Sequence, residues 1–164
     1  MDIRYIDYLY VEPMSTSNEE FIDKSCEEVQ KDYFSRDLID KYNCIYYYET
    51  KGISADTPKY DHVLILFRMS GKIIASAILD AVEHYSSSYK NDHPDLKDNN
   101  GAYLLNKDSI LVFKPIDEEE LRKYIDFSSF GQNRILKSRR EINLEALNSR
   151  INDNGEYQRE LLKK

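Results

Sequence analysis

Tryptophan is absent from this 164-residue chain, and cysteine, proline and glycine are scarce, at 2, 4 and 5 residues. The two cysteines, Cys26 and Cys44, form no C-x-x-C pair and cannot build a disulfide framework. So little glycine and proline excludes a collagenous, linker-like or disordered chain. Long apolar runs are missing too. The longest, Val63 to Phe67, falls far short of the roughly 20 residues that cross a bilayer. No basic-then-apolar segment opens the sequence, so the expected compartment is the cytoplasm, with no membrane contact. Phosphate loops of the G-x-x-x-x-G-K or G-x-G-x-x-G type, the G-x-S-x-G elbow and H-E-x-x-H are all missing. No cofactor and no metal site is therefore expected, and the balance leans away from an enzyme.

What is present is charge and tyrosine. Charged residues make up 32% of the chain, with a net charge of −7 that opposes phosphate binding by the surface as a whole. The charge is unevenly spread. Ser15 to Tyr42 holds eight acids against four bases, whereas Gly131 to Arg150 holds five bases against two acids. Fourteen tyrosines and six phenylalanines supply flat faces that can sandwich a base, and the tyrosines add a hydrogen-bonding tip.

The length fits a single domain over residues 1–164. The N-terminal third reads as a helix over about 17–42, capped in Ser15-Thr16-Ser17, with Ile22, Cys26, Val29 and Tyr33 inward and acids outward. Short β-prone runs follow at 45–48, 62–68, 72–82, 102–105 and 109–114, the second and third joined by a turn at Met69-Ser70-Gly71. Five strands with short turns predict an α+β fold, a mixed or antiparallel β-barrel with flanking helices. Residues 83–101 read as one long loop carrying His84, Tyr85, Tyr89 and His93. Asp117 caps a helix over 117–125, Asn143 begins another over 143–152, and the tail beyond 153–155 is expected to fray. Cys26 reads as a small buried hydrophobe.

One segment combines aromatic and basic character: Phe127-Ser128-Ser129-Phe130-Gly131-Gln132-Asn133-Arg134, leading to Lys137, Arg139 and Arg140. An amide beside aromatics can read a base edge, and the cations can hold phosphate. The order of segments carries a resemblance. The hairpin Arg68-Met69-Ser70-Gly71-Lys72-Ile73-Ile74-Ala75-Ser76-Ala77 comes first, then a long insert and Gly101-Ala102-Tyr103. Ser109 to Ile116, with its Pro115-Ile116 step, a short acidic helix and Phe130-Gly131-Gln132 follow. Over about residues 44–151 this order resembles the PUA-like superfamily in the sense of the EVE and ASCH domains. It departs from them in lacking tryptophan and in adding an acidic N-terminal helix.

The resemblance implies a pseudo-barrel whose mouth accepts a nucleobase. It would place Tyr47, Phe67, Tyr103, Phe130 and Gln132 near that mouth, with Arg68, Lys72 and Arg134 as phosphate or edge contacts. The leading expectation is a non-catalytic nucleic-acid or nucleotide-binding module, a modified-base reader. Two alternatives stay open. One is an ASCH-like amidohydrolase acting on an acylated base, with Lys72 and a carboxylate such as Glu83 as the reactive pair. The other is an acidic protein-interaction domain of a phage or host-defence system, contacting its partner through the N-terminal helix.

Overall fold

The computed structural model describes residues 1–15, 17–49, 53, 62–131 and 134–164. It is α+β, built on one seven-stranded mixed sheet. The strands are β1 (Tyr8–Pro13), β2 (Ile45–Tyr48), β3 (Val63–Met69), β4 (Lys72–His84), β5 (Gly101–Leu105), β6 (Leu111–Asp117) and β7 (Leu136–Ser138). They run in the order β2-β5-β4-β3-β1-β7, with β6 also paired to β4. Among the described residues no ladder joins β2 to β7, so the sheet is open and the expected barrel is not closed. All five strands read from the sequence form. The reading missed β1, which lies parallel to β3, and β7, which lies antiparallel to β1.

The long strand β4 organises the sheet. One edge pairs with β3; the other pairs first with β6 and then, beyond a bend, with β5. The β3–β4 turn is the two residues Ser70 and Gly71, with φ of 51° and 74°. Left-handed backbone at both positions matches the twist of the flanking strands, and glycine adopts it without strain. Where β4 bends, its ladder to β6 slips between Ile73 and Ala75 and frees a carbonyl. The fully buried Gln30 meets it: its Nε2 donates to Ile74 O at 2.9 Å and to Phe113 O at 2.7 Å.

Gln30 belongs to the N-terminal helix, which begins later than the sequence suggests. Residues 17–23 are turns, and Ile22, expected inward, is exposed. The start is set by Ser25, whose side chain accepts from the Glu28 amide at 3.1 Å. From there α1 (Cys26–Glu28) continues into a π-helical stretch, Val29–Asp37, and a last turn, α2 (Leu38–Asp40). The wider winding turns Val29, Gln30, Tyr33 and Phe34 onto the buried face.

The remaining helices are α3 (Ser87–Asp92), α4 (Glu118–Leu121), α5 (Leu144–Asn152) and α6 (Gly155–Lys163). Asp117 and Asn143 cap α4 and α5 as expected, accepting from the amides of Glu120 and Ala146. The expected loop at 83–101 instead contains the end of β4, α3 and a 3-10 turn, Pro94–Leu96. The tail does not fray. Helix α6 is held by Tyr157, whose hydroxyl donates to Gln30 Oε1 at 2.5 Å, by Gln158, whose Nε2 donates to Val112 O at 2.6 Å, and by buried Leu161. No helix among the described residues is long and apolar enough to cross a membrane.

The sheet separates two cores. On one face Tyr10, Ile65, Phe67, Ala77, Tyr103 and Tyr46 meet Val29, Tyr33, Phe34 and Leu38 of the N-terminal helix. On the other, Leu9, Val11, Leu64, Leu66 and Phe113 meet Leu121 and Ile125 near α4, and Leu147 and Ile151 of α5.

Candidate functional site

The residues expected at one mouth do not come together. Phe67 is fully buried, its ring 5.0 Å from that of Phe34 and 4.8 Å from that of Tyr46. Tyr103 is also fully enclosed, its ring stacked on Tyr48 at 4.8 Å. These two are core residues because each points from its strand toward the helix layer. Arg68 points to the opposite face, where its guanidinium lies 5.2 Å from the ring centroid of Phe130. Phe130 is itself nearly buried and leans on Phe127 at 5.5 Å. Lys72 is exposed at the start of β4. Tyr47 is half-buried on the side of β2 away from Tyr46 and Tyr48. Arg134 is exposed, with its charge acting on Tyr10. Gln132 lies outside the described residues.

The expected amidohydrolase pair is separated. Lys72 and Glu83 stand near opposite ends of β4, roughly 35 Å of strand apart at about 3.3 Å per residue. No proton passes directly between groups so placed. The basic stretch is also engaged within the fold. Arg139 donates to Ile6 O at 2.9 Å and to Arg4 O at 2.8 Å, while the mostly covered Lys137 lies 4.0 Å from Glu141. Among the described residues no group of three His, Cys, Asp or Glu side chains is arranged to hold a metal ion.

Two features escaped the sequence reading. The first is Glu12, on β1, which is 1% exposed and takes its hydrogen bond from the Tyr103 hydroxyl at 2.8 Å. Burial pushes its carboxyl up from 4.5 to about 8, and the Tyr103 hydrogen bond opposes that rise only in part. Around it the phenols of Tyr10, Tyr48 and Tyr103 are all raised, by burial first and then by the Glu12 charge; Tyr48 reaches about 12. Gly101 lets Tyr48 into this cluster, since a Cβ there would lie 2.1 Å from the Tyr48 hydroxyl. The β-prone run Tyr8-Leu9-Tyr10-Val11 is the signal that was available. An acid on the inward side disguised it.

The second feature is a surface groove of about 560 Å³ between the turns at 17–21, the end of the N-terminal helix, β2 and the 95–99 segment. Its wall is aromatic, from Phe21, Tyr33, Tyr42 and Tyr47. Its rim is acidic, from Glu19, Glu20, Glu49, Asp95 and Asp98. Two rim acids are already engaged. Glu20 accepts from the Tyr42 hydroxyl and sits 3.6 Å from Lys41, while Glu49 accepts from Ser15 Oγ at 2.8 Å. The side chains of Glu19, Asp95 and Asp98 make no hydrogen bond or ion pair among the described residues.

Tyr33 decides how the groove is read. It is 5% exposed, with rings of Phe21 and Phe34 packed edge-on at 4.9 and 5.0 Å. Its hydroxyl has no hydrogen-bond partner among the described residues. Yet no fully enclosed side-chain oxygen among them lacks a partner, so this hydroxyl opens on the groove it lines. Burial raises the phenol far above its usual range, with Tyr42 and Glu20 adding to the rise, and it stays protonated. The groove thus offers acceptor oxygens, aromatic faces and one hydroxyl that no described residue meets. Behind it the rings continue inward through Phe21 and Tyr46 to Tyr103, at 6.4 and 6.1 Å.

No family model, no curated protein and no solved structure matches this chain.

Proposed function

We propose that this chain is a non-catalytic binding module, an acidic interaction domain that seats its ligand in the groove beside Tyr33, Tyr42 and Tyr47. The observation that carries the reading is Tyr33, a ring packed among other rings whose hydroxyl opens on the groove and has no partner among the described residues. Because that hydroxyl opens on the groove, a ligand seated there can bond to it in place of water. The groove volume lies within the range of sites that hold a ligand or a peptide side-chain cluster. Part of its acidic rim comes from the segment preceding the N-terminal helix, close to where an acidic partner surface was expected.

Mapping by protein-observed NMR with small aromatic fragments, neutral and cationic, tests the reading. Fragments are expected to perturb the resonances of Tyr42, Tyr47, Leu96 and Asn99, and Tyr42→Ala combined with Tyr47→Ala to abolish those perturbations. Fragments that bind elsewhere, or nowhere, overturn it.

A second reading, base or phosphate recognition by a PUA-like pseudo-barrel, is favoured by one observation. Arg68 lies over the Phe130 ring and makes no ion pair among the described residues. Perturbations confined to Arg68 and Phe130 would select it.

A further inference from the structure

The groove discriminates among ligands by what it lacks. Its rim carries five carboxylates, and no lysine or arginine lines it among the described residues. Lys41, the nearby cation, is paired to Glu20 and exposed. A carboxylate rim alone would attract any cation. The unmet hydroxyl of Tyr33 and the tyrosine walls ask for more, namely several N–H donors on a flat, weakly hydrated group. An ammonium or a metal ion is a compact, strongly hydrated charge that gives up little water to an aromatic wall. A guanidinium has five donors in a rigid plane, stacks on ring faces and pairs bidentately with carboxylates. At about 560 Å³ the space holds a short segment of chain rather than a single side chain.

Resting on the binding-module reading above, we propose that the groove binds an arginine-bearing basic segment of a partner protein. A guanidinium stacks against Tyr42 or Tyr47, Asp95 and Asp98 accept its outer N–H groups, and Tyr33 Oη accepts an inner one. Both aspartates are exposed and make no hydrogen bond through their side chains among the described residues, so their neutralisation leaves the fold intact.

The test uses the full chain and isothermal titration with four probes at low salt: a short peptide with two arginines, its lysine and glutamine counterparts, and spermidine. The arginine peptide is expected to bind roughly three- to fivefold more tightly than the lysine peptide, the margin of a cation–π contact. The glutamine peptide is expected not to bind. Asp95→Asn with Asp98→Asn should weaken the arginine peptide about tenfold, and Tyr33→Phe several-fold with an unchanged melting temperature. Equal binding of arginine and lysine peptides, or of spermidine, overturns the guanidinium assignment. So does an affinity indifferent to the aspartate pair. If neutral fragments still seat in the groove while every cationic probe fails, this inference falls and the binding-module reading stands. If neither class seats there, both fall.

Discussion

The two faces of the sheet solve the same packing problem with different chemistry. One face is closed by leucine, isoleucine and phenylalanine against α4 and α5, and the cations around it are engaged: Arg139 on two carbonyls, Arg150 on Glu120 at 2.5 Å. The other face adds five buried tyrosines to its aliphatic and phenylalanine side chains and holds an acid, Glu12, together with a tyrosine hydroxyl that no described residue meets. An architectural face satisfies its polar groups internally, because a buried orphan is destabilising. A hydroxyl that opens on a groove is left to water, and a ligand seated there can take the place of that water. The comparison therefore sets an aliphatic face against a tyrosine face, on whose side the proposed binding groove opens.

The largest expected effect falls on Glu12. Below about pH 4.5 its carboxyl is protonated in both the folded and unfolded chain. Between 4.5 and about 8 the unfolded chain loses the proton while the fold retains it, so stability falls as pH rises through that window and levels off above it. Each pH unit across the window removes roughly 1.4 kcal/mol, so the total loss is on the order of several kcal/mol. Urea unfolding at pH 5 and pH 8.5 should show this decline in the native chain, and Glu12→Gln should flatten it. A native profile without the decline would place Glu12 in water and break the contrast between the faces.

Next in size is Arg139 on the aliphatic side. Arg139→Ala removes two charge-assisted hydrogen bonds to the N-terminal segment and should cost about 1.5–3 kcal/mol. Arg140→Ala, at an exposed neighbouring position, should stay within about 0.5 kcal/mol. If denaturant melts rank the two equally, the basic stretch is not structural, and its availability to phosphate returns. The smallest effect is expected from Tyr33→Phe. Removing a hydroxyl that bonds no described residue should change unfolding free energy by less than about 0.5 kcal/mol. A large destabilisation would mean that the hydroxyl is already satisfied, and the two faces would then be alike.

Local signals in the sequence located most elements. The β-prone runs at Ile45–Tyr48 and Val63–Met69, the Ser70-Gly71 turn and the Asp117 and Asn143 caps depend on neighbours within a few residues, and each forms close to where it was read. Failures arose where distant partners decide. Strand β1 exists through its parallel ladder to β3, where Tyr8 meets Val63 across more than 50 residues of chain. Helix α6 looked like a polar tail because its anchors, Gln30 and the Val112 carbonyl, are far away in sequence. Of the residues expected at a ligand mouth, Tyr47 lines the groove and Arg68 meets Phe130, while Phe67 and Tyr103 are core. Strand period places alternate residues on opposite faces, but it does not say which face a helix will cover.

By itself, the sequence determined the class of fold and its chemistry: an acidic, tyrosine-rich α+β chain with short antiparallel hairpins and capped helices. Those properties are sums over composition or depend on contacts within one turn. Only the tertiary structure decided that the sheet stays open, that Glu12 is inside and that the acids of 17–21 and 95–98 share one rim. Each of these depends on which segments, tens of residues apart, become neighbours. That is settled by burying two faces of one sheet at once, a constraint that no local stretch of the chain contains.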